Sequence, residues 1–271
     1  MIETIYIARH GFRSNWVDPN WSVGSPTGLP RDYPLAAYGE TQAQELAAYF
    51  QALPVSNRPT AIFSSPYYRC IQTALPTALA LNLPIYTEHG IAEWYSPVVP
   101  GTGLHPRPKI ASELKAYFTE IDPSWSSVWY PSRKGEDVDQ VHARVNGFLE
   151  LFVPEVERRF SDKHKCILLF SHAATIIALC RGLLAQPDLP LRVGCCSISV
   201  FTRKPGAVGI VGAWEPKLLA NGDHLKDGAS RDWGFEDIHT SNGKVINHVG
   251  IPGTEHLADD TCGPQIQRSS L

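Results

Sequence analysis

The sequence predicts a three-layer α/β/α protein with a mostly parallel central sheet, an antiparallel edge strand and long loop insertions over the site. Three observations carry that expectation. Apolar runs of strand length alternate with segments of helical periodicity for most of the chain. Two of these runs, Thr4-Ile5-Tyr6-Ile7-Ala8 and Cys166-Ile167-Leu168-Leu169-Phe170, read as buried strands and lead into Arg9-His10-Gly11 and Ser171-His172-Ala173. Between the regular segments lie stretches crowded with Pro, Gly and Trp, at 14–34 and 94–108, that read as surface loops.

The elements follow in order. After the first strand and its loop, residues 39–52 carry Ala43, Leu46, Ala47 and Phe50 on one helical face. Residues 61–64 form a short apolar strand, and a helix opens at Pro66, a residue suited to a first turn. Pro76 is expected to kink or interrupt that helix, since it lacks an N–H and crowds the preceding turn. A strand is expected at 84–87 and helices at 110–119 and 138–160, the longer with a bend or restart at Pro154. The strand at 166–170 precedes an apolar helix at 173–184, and antiparallel strands are expected at 197–202 and 207–214. A strand–helix alternation of this kind builds a parallel sheet covered on both faces. One domain over residues 1–253 and a loose polar tail over 254–271 is the economical division.

Composition narrows the function classes. At 271 residues, 43% hydrophobic and 19% charged, the chain is long enough for a substantial core and is not of disordered type. A net charge of -3 supplies no field for direct nucleic-acid binding. No apolar run approaches the roughly 20 residues of a spanning helix, so no membrane partner is expected. The start enters a strand at once, with Glu3 and no basic-then-apolar leader, so no secretory signal is expected. Of the six cysteines, Cys70, Cys166 and Cys180 sit in apolar stretches and read as reduced core thiols. Cys195-Cys196 would point to opposite faces of a strand, and there is no CxxC pair. This is the cysteine usage of a cytoplasmic or nuclear setting.

Four local features carry chemistry. His10 ends a strand and is followed by Gly11, which permits a tight turn and close ligand approach; Arg9 beside it has a planar fork suited to phosphate oxygens. Arg69, in Ser65-Pro66-Tyr67-Tyr68-Arg69-Cys70, lies one turn into a helix with little other charge, where a buried anion would explain it. His172 sits between an apolar strand and an apolar helix and needs a partner there. Glu93, beside Trp94, is expected to have a raised pKa suited to a general acid. Taken singly, each also has an ordinary structural reading: a strand-end or core histidine, a surface arginine, an unremarkable carboxylate.

Ligands of open α/β sheets bind beyond the carboxyl ends of strands, so His10 and His172 are positioned to meet there. The Arg-His-Gly triplet, Ser64-Ser65-Pro66-Tyr67-Tyr68-Arg69-Cys70-Ile71-Gln72-Thr73-Ala74, the Glu93 of Ile91-Ala92-Glu93-Trp94 and the late Ser171-His172-Ala173 together resemble the histidine phosphatase superfamily, the phosphoglycerate-mutase-like group. The resemblance runs from residue 4 to about 185, and Leu35-Ala36-Ala37-Tyr38-Gly39-Glu40-Thr41-Gln42-Ala43 fits the family's first-helix entry. Within it, Ile5-Tyr6-Ile7-Ala8-Arg9-His10-Gly11-Phe12-Arg13-Ser14-Asn15-Trp16 is similar to the phosphatase domains of the fungal TFIIIC 55-kDa tau subunits and their free-standing paralogues. The T-cell ubiquitin ligand proteins also carry an arginine where this chain has Arg13. Sugar-phosphate mutases usually have Glu-Ser after the triplet, so Phe12-Arg13 weighs against a mutase or bisphosphatase.

The resemblance implies a phosphomonoesterase with His10 as nucleophile, Glu93 as acid then base, and Arg9, Arg13, Arg69 and His172 holding phosphoryl oxygens. No cofactor is implied, and no metal either, since no cluster has ligand spacing in the sequence and three arginines suffice to bind a phosphate dianion. Implied partners are a phosphorylated small molecule or phosphopeptide, and TFIIIC subunits if the fold serves as an interaction module. Trp16, Trp21, Trp94, Tyr95, Trp125 and Trp129 are candidates for an apolar rim, and Arg31, Arg107 and Lys109 for a second phosphate or acidic flank.

Overall fold

The computed structural model describes residues 1–18, 24–161, 163–238, 240–241, 244–245 and 247–266. The elements run β1 (Thr4–Arg9), α1 (Ala37–Ala52), β2 (Ala61–Ser64), α2 (Tyr68–Leu81), β3 (Ile85–Thr87), α3 (Ala111–Leu114), β4 (Trp129–Tyr130), α4 (Val138–Arg159), β5 (Cys166–Ser171), α5 (Ala173–Leu184), β6 (Ile198–Arg203) and β7 (Trp214–Asn221). The main sheet has six strands in the order β3-β2-β5-β1-β6-β7. The first four are mutually parallel, whereas β6 and β7 pair antiparallel at one side.

Side chains alternate along each strand, so β1 and β5 feed two cores. Ile5, Ile7, Ile167 and Leu169 join Val141, Phe148 and Phe152 of α4 and Ile177 of α5 on one face. Tyr6, Ala8, Leu168 and Phe170 join Leu46 and Phe50 of α1 and Ile71 and Ala74 of α2 on the other. Burial on both faces explains why these strands read as unbroken apolar runs. The α4 entry is a capping box: Gln140 N–H donates to Asp137 Oδ1 at 2.7 Å, and Asp137 N–H to Gln140 Oε1 at 2.8 Å.

The register at the sheet centre places the candidate site. Arg9 pairs with Ser171 across β1 and β5, so the histidine following each strand leaves the sheet at the same level. Gly11 must be glycine on steric grounds: a Cβ there would stand 2.7 Å from the Gly39 carbonyl oxygen at the α1 entry.

Several expectations differ in detail. Pro76 lies inside a continuous α2, whose Ile71, Ala74 and Ala78 are packed into the core, and this burial holds the helix across the missing backbone bond. Pro154 is likewise accommodated within α4. The helix expected at 110–119 is regular only over Ala111–Leu114. The last strand begins at Trp214, where it was expected to end, because Gly206, Gly209 and Gly212 adopt φ of 70°, 79° and 76° and turn the chain before it. Cys195 and Cys196 lie in a turn before β6, with Cys196 at φ of 53°.

The segment after 254, expected to be loose, is anchored over its described part. Asp259 accepts from Arg107 at 3.1 Å and from Ser132 Oγ and Arg133 N–H at 2.8 Å each. Gly263–Pro264 pairs antiparallel with β4, and Gln265 N–H donates to the Val128 carbonyl at 2.8 Å. One carboxylate with three donors fixes a stretch that hydropathy alone reads as free.

Candidate active site

Beyond the carboxyl ends of β1 and β5 lies a cavity of about 530 Å³ whose lining includes Arg9, His10, Arg13, Arg69 and Glu93. His172, fully buried, stands behind it with its ring centroid 5.3 Å from that of His10. The structure thus brings together the six residues to which the resemblance assigns a role in the chemistry.

His10 is locked by the turn that Gly11 makes. Its Nδ1 lies 2.8 Å from the Gly11 carbonyl oxygen, which can only accept, so Nδ1 carries the proton and Nε2 keeps its lone pair. Burial, followed by the nearby Arg69, Arg9, His172 and Arg13, holds its pKa well below 6.5, so the ring is neutral.

Arg69 is fully buried in the first turn of α2 and reaches Asp32 Oδ1 at 3.0 Å and Glu93 Oε2 at 2.9 Å. Burial opposes its charge, but the Glu93 and Asp32 carboxylates more than offset that and raise its pKa. Asp32, not anticipated in the sequence, also accepts from Tyr68 N–H at 2.8 Å and so ties the long loop to the start of α2. Arg9 spends one nitrogen on the carbonyls of Val193 and Arg231. Arg13 stacks on Trp16 with its guanidinium carbon 4.1 Å from the ring centroid, and burial lowers its pKa to about 10 while leaving it a cation at neutral pH. Neither Arg9 nor Arg13 meets a carboxylate among the described residues. In all three arginines the buried Nε–H lacks an acceptor, an arrangement costly unless an anion supplies oxygens.

Glu93 is aimed by its backbone. Ser171 Oγ donates to the Ile91 carbonyl at 2.7 Å, and Thr175 Oγ1 to the Ala92 carbonyl at 2.8 Å, so β5 and α5 fix the residues preceding it. The raised pKa expected from Trp94 is not found. Burial pushes the Glu93 carboxyl up, but His172, Arg69 and Arg13 outweigh it and hold the group below the usual carboxylate range. Trp94 instead donates its Nε1–H to the Glu136 carbonyl at 2.9 Å.

His172 caps α5. Its Nδ1 lies 3.3 Å from Glu93 Oε2 and its Nε2 2.8 Å from Ser65 Oγ. Arg69 Nη2, 3.1 Å from the same Nδ1, can only donate, so Nδ1 accepts from it and the ring proton sits on Nε2, which donates to Ser65 Oγ. Burial leads the lowering of its pKa to about 4, with Glu93 opposing, so this ring too is neutral. Ser65 and Thr73, whose Oγ1 accepts from Gly11 N–H at 3.0 Å, were unforeseen supports; the motif around Arg69 contained both.

The aromatic and basic expectations divide. Trp16, Trp94, Tyr95 and Arg31 line the cavity. Trp125 is instead a core residue donating to Glu88, and Trp129 packs beside the core on β4. Arg107 is paired with Asp259 and Lys109 lies over Tyr117, so neither serves the cavity. Trp21 lies outside the described residues. Arg231, Trp233 and His248 also line the wall, supplied by irregular chain that carries no periodic signal.

One atom each from His10, Glu93 and His172 falls within a span of 4.8 Å, a grouping able to ligate a metal that linear spacing did not reveal. The three surrounding arginines oppose a cation there and favour an anion.

A strand-end histidine ringed by buried arginines at the centre of an open α/β sheet is an arrangement suited to an anion. Residues 5–214 match the model of the histidine phosphatase superfamily (branch 1), and the chain belongs to that superfamily. It is 39% identical over 264 residues to the transcription factor tau 55 kDa subunit of Saccharomyces cerevisiae, covering 88% of this chain and 60% of that protein. The fold resembles the ecdysone phosphate phosphatase from Bombix mori, with a TM-score of 0.61 at 17% identity over 90% of this chain and 98% of that one. It also resembles a mycobacterial glucosyl-3-phosphoglycerate phosphatase, with a TM-score of 0.52 at 18% identity over 80% and 98% of the two chains.

Proposed function

We propose that the chain is a metal-independent phosphomonoesterase that works through a phosphohistidine on His10. The observation that carries this is the Nδ1 contact with the Gly11 carbonyl, which leaves Nε2 as an unprotonated nucleophile beside three arginine Nε–H groups without acceptors. Nε2 attacks phosphorus as the ester oxygen departs, with Arg9, Arg13, Arg69 and His172 around the nonbridging oxygens. Glu93 delivers a proton to the leaving oxygen, then takes one from the water that releases phosphate from His10. Aromatic walls suit phosphotyrosine-like or other small phosphorylated substrates.

The test is hydrolysis of para-nitrophenyl phosphate by wild type and His10→Ala, with and without chelator, alongside acid-quench labelling from a radioactive ester. The expected result is chelator-indifferent turnover, acid-labile label on the wild type only, and a loss in the mutant of at least about a thousandfold without a lower melting temperature. An inert, folded wild type would overturn the reading.

The tau 55 kDa relative supports a second reading, in which the phosphatase fold serves as an interaction module of TFIIIC in the nucleus. Co-purification of TFIIIC subunits with the tagged chain tests it, and the two roles are compatible.

A further inference from the structure

The cavity of about 530 Å³ carries more cationic lining than Arg9, Arg13 and Arg69. Two further arginines line it, Arg31 and Arg231. Neither meets a carboxylate among the described residues. Arg31 contacts His105 Nδ1 at 3.3 Å and the Val249 carbonyl at 2.7 Å, both neutral partners. Arg231 lies over the rings of Trp16, at 5.3 Å, and Phe12, at 5.8 Å. Among the described residues, the acidic lining residue other than Glu93 is Asp232, and it is drawn off by Arg192 at 2.6 Å, as are Glu236 and Asp237 outside the lining.

Both arginines also sit on left-handed backbone, with φ of 63° and 52°. An L side chain is strained there, and glycine would not be. Each is nonetheless tied to the arginines around His10: Asp32, which follows Arg31, grips Arg69, and the Arg231 carbonyl accepts from Arg9. Trp16, Tyr33, Trp94, Tyr95 and Trp233 line the same cavity.

We infer that Arg31 and Arg231 form a second anion-binding subsite, and that the preferred substrate is an aryl phosphomonoester bearing another phosphate or carboxylate. This rests on the phosphatase reading for its chemistry but not for its binding. The aromatic walls take the ring, the arginines around His10 take the scissile phosphoryl group, and Arg31 and Arg231 take the second anion by charge-assisted hydrogen bonds. A small acidic ester and a phosphotyrosine peptide with an acidic flank share this chemistry.

The test compares phenyl phosphate with 4-(carboxymethyl)phenyl phosphate, and a phosphotyrosine peptide flanked by Asp with one flanked by Asn. Turnover is measured on wild type, Arg31→Ala and Arg231→Ala, and binding by calorimetry on the same set in a His10→Ala background. The expected preference for the more anionic member of a pair is about tenfold. Each arginine variant should lose most of that preference through KM and change phenyl phosphate turnover by less than about threefold. A preference confined to the carboxylated ester identifies a small substrate, and one confined to the Asp-flanked peptide a phosphopeptide. Equal binding of both members of both pairs, or equal losses on all four probes, overturns the subsite. Wild type inert on every probe, with the arginine-dependent binding preference intact, overturns the phosphatase reading and leaves the subsite standing.

Discussion

Glu93 shows how a residue's neighbours set its chemistry. Held ionised by His172, Arg69 and Arg13, it has no proton to give at ordinary pH. The productive complex must therefore gain one proton, carried in by the phosphomonoester monoanion, whose second ionisation lies near pH 6. The expected kcat/KM is flat below that pH and falls about tenfold per unit well above it. No acid limb from His10 should intervene near neutrality, because the pKa of His10 is lowered and its ring is already neutral. A pH profile with phenyl phosphate checks both limbs. Glu93→Gln should cost about a hundredfold or more on alkyl phosphates and far less on para-nitrophenyl phosphate, whose leaving group needs little help. The sequence made these residues legible as a set because motifs mark strand ends. It did not make their protonation legible: Trp94 was visible beside Glu93 in the chain, whereas Arg69 and His172 meet it only in space.

At the scale of elements, irregular segments depend on a few polar ties. Glu88 accepts from Gly90 N–H, Trp125 Nε1–H and Val128 N–H at 2.7, 3.0 and 2.9 Å, joining the turn before Glu93 to the chain entering β4. Burial raises its pKa to about 7 against these donors. Glu88→Ala orphans all three and should destabilise the fold by about 3 kcal/mol, read by urea denaturation. Arg192 acts on the cavity wall from outside, joining Asp232, Glu236 and Asp237 at the surface. Arg192→Ala should leave the melting temperature unchanged and raise KM for aryl phosphates several-fold, and high salt should reproduce this in the wild type by screening the ion pairs. Buried strands and amphipathic helices were readable from apolar runs. The start of β7 was missed because glycine turns, not hydropathy, set it.

The whole molecule joins the part that matches the superfamily model to a wall supplied by later residues. The matched core ends at residue 214, yet Arg231, Trp233 and His248 reach the cavity from beyond it. Those later residues are held by ties such as the Ser96 Oγ contact with His248 Nδ1 at 2.7 Å and the Asp259 cluster. Asp259→Ala should speed limited proteolysis after residue 254 while the core remains resistant, as read by mass spectrometry of the fragments. No hydropathy pattern could announce this stretch, since its anchoring is made of single polar side-chain contacts and short backbone pairings.

The central place of β1, flanked by β5 and β6, also sets a gradient of amide hydrogen exchange through the site. The strands that deliver His10 and His172 can release their amide protons only when the middle of the sheet opens, which makes them the slowest to exchange. The wall at 231–237 exchanges through local openings that leave the sheet untouched. A bound anionic ester should therefore slow exchange at the wall strongly and change those strands little, so that ligand recognition is written in the fast amides and fold stability in the slow ones.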